Sequence, residues 1–146
     1  MPEYNRSCSD EIDHAKADQM HAAALQISRA CFDLKKLCVS VLGACMALLI
    51  KFTANSVDHS LFAVGTALVL GFWISDATSY YYQKALRVAI DNRFKEIADR
   101  NGEKYPLTAS PPAILKALFN MSMSLYLVLF ALLVGAWFAF RCGWIA

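Results

Sequence analysis

From Leu118 to Phe140 the chain runs without a charged residue. About 20 apolar residues in helical form cross a hydrocarbon core of roughly 30 Å, and inside that core the backbone must satisfy its own hydrogen bonds. The segment 113–140 is therefore expected to be a membrane-crossing helix. Two shorter apolar stretches accompany it. Residues 37–53 end near Lys51, whose ammonium can reach the headgroups from one turn inside, and residues 61–82 carry Asp76 toward their far end. Apolar residues make up 58% of the chain and charged residues 18%, against about 45–50% and 25% in soluble domains. A surface facing lipid accounts for both departures. The fold class expected is an all-α integral membrane protein with three transmembrane helices.

The basic residues set the orientation. Arg6, Lys16, Arg29, Lys35 and Lys36 precede the first stretch, and Lys84, Arg87, Arg93, Lys95, Arg100, Lys104 and Lys116 lie between the second and third. Only Lys51 and Arg141 flank the other side, and the connection 54–60 has none. Positive charge stays in the cytoplasm, so the N-terminus and the 83–112 region are expected inside and the tail 141–146 outside, in a bacterial inner membrane. The acidic opening residues lack a basic region ahead of a short apolar core, so no cleavable signal peptide is expected. A net charge of +2 gives no dense basic face for nucleic acid.

The first two spans are expected to belong to longer helices. From Ser9 to Thr53 the only Gly or Pro is Gly43, and Asp10, Glu11 and Asp13 favour a helix start. Ala17, Met20, Ala24, Ile27, Cys31, Leu34, Cys38, Val41, Cys45, Leu48 and Phe52 alternate in steps of three and four, a heptad seam running from the cytoplasmic part (1–36) into the membrane. The second helix is expected to continue through 83–100 and stop at Asn101-Gly102, with Tyr82, Leu86, Ile90, Phe94 and Ile97 on one side. The two cytoplasmic extensions can pair antiparallel along these stripes. Alternatively, the seam from Ala24 to Leu48 holds copies of the chain together, and Leu86, Ile90, Phe94 and Ile97 face a cytoplasmic protein partner. Small pairs (Ser40/Ala44, Gly43/Ala47, Ala67/Gly71) permit close helix approach, which favours a homo-oligomer. Residues 101–112 form a loop, and Pro111-Pro112 precede the third helix.

Five cysteines occur without a CxxC motif, and Cys31, Cys38 and Cys45, one heptad apart, are read as small seam residues. Asp10, His14, Asp18 and His21 share a helix face, expected to be solvated surface rather than a metal site. Counting inward from the outer ends brings Ser40, Asp76, Asn120, Ser122, Ser124 and Tyr126 to one depth, a polar layer near the cytoplasmic end of the spans. An intramembrane carboxylate is a functional position by default; the alternative is an interfacial Asp76 paired with Lys35, Lys36 or Lys116. No nucleophile, phosphate-loop, dinucleotide or metal motif is present, so no enzyme activity, metal or cofactor is expected.

The stretch from Phe72 to Arg87, with its Phe-Trp pair, its Asp-Ala pair and the charged helix that follows at once, resembles an element of small multi-pass bacterial membrane proteins that are similar to phage-defence membrane effectors. The resemblance implies a helical oligomer that perturbs the membrane when a sensor signals. The function expected is an oligomeric membrane protein of pore or channel type whose cytoplasmic helices dock a partner. A non-conducting scaffold for a cytoplasmic complex, or a small proton-coupled transporter with Asp76 as carrier, are the alternatives.

Overall fold

The computed structural model describes residues 7–52 and 57–144, and among these every regular element is helical. Helix α1 spans Cys8–Phe52, α2 His59–Arg100, α3 Ile114–Leu118 and α4 Ser124–Arg141, with a 3-10 turn at Met121–Met123 before α4. Thr53 at the end of the first expected span, residues 54–56 of the expected outer connection, Arg6 and the last two residues lie outside the described residues.

At about 1.5 Å per residue, the 45 residues of α1 extend about 67 Å and the 42 of α2 about 63 Å. Ser7, rather than Ser9, caps α1: its Oγ accepts from Asp10 N at 3.1 Å and its carbonyl from Glu11 N at 3.0 Å. Asp58 caps α2 by accepting from His59 N. At the far end Gly102 takes φ +72°, Glu103 N donates to Ala98 O at 2.9 Å and Gly102 N to Asp99 O at 3.4 Å. This is a Schellman closure, for which the αL conformation of glycine is suited.

The two long helices lie antiparallel. On α1 the buried residues include Asp10, Ala17, Ala24, Cys31 and Cys38, each seven after the last; on α2 Phe62, Val69, Asp76, Gln83, Ile90 and Ile97 do the same. Small side chains on α1 face larger ones on α2 and allow the axes to approach. The register holds along the whole pair, through Asp10–Arg100, Ala24–Gln83 and Lys35–Asp76. Toward the start of α2, a Cβ built on Gly65 would collide with the tip of Met46 and stand 3.1 Å from Leu133 of α4. At Gly65 side chains of α1 and α4 thus pack closely on the α2 backbone, whereas Gly43 and Gly71 face open space. Ser40, Ala44, Ala47 and Ala67 are exposed as well.

The α2 stripe differs from the sequence expectation at one turn: Tyr82 is exposed and Gln83 is buried. Gln83 occupies the seam because its amide donates to Ala24 O at 3.4 Å, a bond open only where the facing residue is small.

The third expected span, 113–140, is not one helix. It breaks at Phe119 (φ −112°, ψ 55°) and Asn120 (φ −102°, ψ 155°) although neither is Gly or Pro. Trp73 Nε1 donates to Leu118 O at 3.0 Å, satisfying a carbonyl that the break releases, and the Phe119 ring meets Trp73 edge-on at 5.8 Å. Below the break, Met123 and Tyr126 join Cys38, Val69 and Ala77 in the buried core. At the end of α4 Phe140 packs on Phe62 and His59 of α2.

Two segments, His59–Arg100 and Met121–Arg141, are long and apolar enough to cross a membrane. Helix α1 falls short of that measure, because Lys35 and Lys36 on one side and Lys51 on the other bracket an apolar run of about 21 Å from Leu37 to Ile50.

Candidate functional site

Where α1, α2 and α4 meet, Asp76 and Tyr126 are both completely buried. Asp76 occupies a seam position of α2, one heptad beyond Val69, so the packing that buries Val69 buries the carboxylate. Lys35 comes from the flank of the α1 seam, between Cys31 and Cys38, and its Nζ donates to Asp76 Oδ2 at 2.5 Å. The same ammonium stands 5.9 Å from the Tyr126 ring centroid, within reach of a cation–π attraction.

Hydrogen bonding at this centre is incomplete. Neither Asp76 Oδ1 nor the Tyr126 hydroxyl has a partner among the described residues. Buried polar groups are nearly always paired, and a half-satisfied ionic cluster in low dielectric responds strongly to any change in its surroundings. The site therefore holds one ammonium–carboxylate pair in a buried setting, with the Cys31 thiol and the Tyr126 phenol close to the same carboxylate. From His59 the helix rise puts Asp76 about 25 Å along α2, one of the two segments long and apolar enough to cross a membrane.

The other residues expected in a polar layer do not join it. Ser40, Ser122 and Ser124 are exposed and Asn120 is half-buried; equal depth does not give equal azimuth, and the break at Phe119–Asn120 resets the phase of α4. Of the three lysines considered for Asp76, Lys35 is the one that pairs; Lys36 instead reaches Asp33 at 3.5 Å and the Phe32 ring at 4.5 Å.

Along the seam, Ala24, Cys31 and Cys38 are buried, Ile27, Leu34, Val41 and Cys45 half-buried, and Leu48 exposed. Its inner part is thus filled within one chain. Ile90 and Ile97 are buried and Leu86 and Phe94 half-buried against α1, so the face expected to receive a partner is mostly covered by the chain's own first helix.

The end of the pair where α1 begins and α2 stops carries contacts that sequence reading missed. Arg100 donates to Asp10 Oδ1 at 2.8 Å and to Asp13 Oδ2 at 2.7 Å, and Arg93 stands 3.8 Å from Asp13. Asp10 is buried rather than part of a solvated face, and His14 meets the Phe94 ring at 5.8 Å, while Asp18 and His21 remain exposed. The Arg100 guanidinium holds the Asp13 carboxyl below its ordinary value. Asp91 pins the loop by accepting from Ala109 N at 2.6 Å, Thr108 N at 2.9 Å and Thr108 Oγ1 at 3.0 Å, and these donors, Ala109 first, lower its pKa. A charge-bearing residue one heptad from buried Ala17 was the available signal for Asp10; the heptad neighbours of Asp91, Lys84 and Ala98, are only half-buried and gave none. No group of three or more metal-ligating side chains occurs among the described residues.

Comparison with protein-family models, with curated proteins and with solved structures finds no match.

Proposed function

We propose that the chain is an oligomeric protein of the bacterial inner membrane. In this reading three helices cross the bilayer, the N-terminus and residues 83–112 are cytoplasmic, and the spans form or gate a membrane-perturbing assembly of pore type. The observation that carries it is the Lys35–Asp76 pair, its carboxylate completely buried close to Tyr126. Such a pair adds little net stability against an apolar core, yet removing one partner costs about 3–5 kcal/mol. It therefore defines one register of α1 on α2. Sliding α1 by one turn, about 5.4 Å, parts the charges and leaves a bare carboxylate among apolar side chains. A partner bound to the outward faces of the cytoplasmic pair supplies that displacement.

Helix α1 serves as the third span by lying against α2, with Lys36 and Lys51 reaching the two headgroup layers. Only 11% of the apolar window in Met121–Arg141 is buried within the chain. Its outward Leu127, Val128, Leu132 and Phe138 thus suit lipid and further copies. The likeness of Phe72–Arg87 to phage-defence effectors gives the cellular role proposed, antiviral defence.

Overexpression in cells loaded with a potential-sensitive dye tests this reading: the native chain depolarises the membrane and Asp76→Asn does not. An unchanged potential and unchanged dye permeability, with the protein present in the membrane together with the products of its neighbouring genes, would exclude a conducting assembly. A scaffold role has its own support, the stiff cross-tied end where Arg100 meets Asp10 and Asp13; it predicts a silent Asp76→Ala. Reporter fusions that put both chain ends in one compartment would overturn the three-span topology.

A further inference from the structure

Between α2 and the segment leading into α3 lies a cavity of about 420 Å³. Tyr80, Tyr81 and Lys84 line it from α2, and Ser110, Lys116 and Asn120 from the opposite wall. Lys84 is half-buried with its Nζ 5.7 Å from the Tyr80 ring centroid, and neither Lys84 nor Lys116 forms an ion pair with an acidic group among the described residues. The nearby carboxylates are engaged elsewhere, Asp76 by Lys35 and Asp91 by the 108–109 backbone. The cavity is thus a concave, electropositive site with hydroxyl and amide donors around it.

Its level in the molecule indicates the ligand. Tyr80 stands 21 residues beyond His59 on an unbroken helix, about 32 Å along its axis, close to one hydrocarbon thickness. Beside the cavity Ile114, Leu115, Phe119 and Met121 project outward, all strongly exposed. Tyrosines and lysines above, with bare apolar groups alongside, match a headgroup and its acyl chains. We propose that this cavity binds the phosphate headgroup of an anionic glycerophospholipid of the cytoplasmic leaflet, with Lys84 and Lys116 on the phosphate and the exposed 114–121 side chains against the acyl chains.

This inference rests on the membrane reading above, and the experiment separates the two. The full-length chain, purified in a neutral detergent, is titrated with phosphatidylglycerol, with phosphatidylcholine and with glycerol phosphate, and bound lipid is counted by native mass spectrometry. Phosphatidylglycerol is expected to bind in preference to phosphatidylcholine, and Lys84→Gln and Lys116→Gln each to weaken it about fivefold. Arg87→Gln, exposed and outside the cavity, leaves binding unchanged, and Lys84→Arg retains it should Lys84→Gln fail to fold. Equal binding of both lipids, or glycerol phosphate binding as tightly as the lipid, overturns the proposal. A chain recovered in the soluble fraction of lysed cells overturns the membrane reading instead.

Discussion

Arg100, the last residue of α2, donates to Asp10 in the first turn of α1 at 2.8 Å, joining residues 90 positions apart. The contact ties the start of one long helix to the end of the other; Arg100 Nε adds a bond to the same oxygen at 3.0 Å and Asn101 a third to the carboxylate at 3.3 Å. Placing a guanidinium at the C-terminus of one helix and carboxylates at the N-terminus of the other also complements both helix dipoles.

This end of the pair should loosen in acid. Asp13 and Asp91 have folded pKa values below their ordinary ones, so their stabilisation is complete above the unfolded value of about 3.9 and is lost as pH falls through the lower folded values. Hydrogen exchange at residues 8–20 and 97–110, corrected for intrinsic rates, should accelerate only below pH about 4. Arg100→Gln brings the Asp13 carboxyl back toward its ordinary value, so residues 8–20 should exchange faster already at neutral pH with little further rise in acid; an unchanged profile would refute the role given to Arg100.

Lys35→Met and Asp76→Leu should each destabilise the chain by about 3–5 kcal/mol in detergent, since each strands a buried charge. The double variant should recover most of the loss. Chemical denaturation followed by helix content reads this directly, and simple additivity of the two losses would show that the residues do not act as a pair.

Gly65→Leu should cost about 1–3 kcal/mol by overpacking against Met46 and Leu133. Gly71→Leu, facing open space, should leave the stability of the single chain unchanged. Any change it makes in particle mass, measured by light scattering, then reports contact between copies. Equal loss of stability in both variants would contradict the close approach assigned to Gly65.

Trp73→Phe keeps the ring but removes the donor to Leu118 O. The freed carbonyl should cost about 1 kcal/mol, and amides of residues 114–123 should exchange faster than those of 127–138. Uniform protection across both segments would show that the break stands without Trp73.

Much of the fold was legible because it follows from periodicity. The small residues Ala17, Ala24, Cys31 and Cys38 mark the α1 seam by spacing alone, and Asn101-Gly102 carries its own turn chemistry. The break before α4 was not legible, since Leu118, Phe119 and Asn120 contain no local stop signal and the tie comes from Trp73, 45 positions away. Gln83 was invisible for a related reason: a polar residue joins an apolar stripe only if a facing carbonyl is in reach, and Ala24 provides it. At the candidate site, counting depth found Asp76 and Tyr126 but also admitted Ser40, Ser122 and Ser124, which helix rotation turns outward.

The unbroken α2 gives the Arg100 clamp mechanical leverage. About 36 Å of continuous helix, free of proline and glycine, separates Arg100 from Asp76. A tilt of a few degrees imposed at the clamped tip is delivered to the far fulcrum as torque instead of being absorbed by a soft joint along the way.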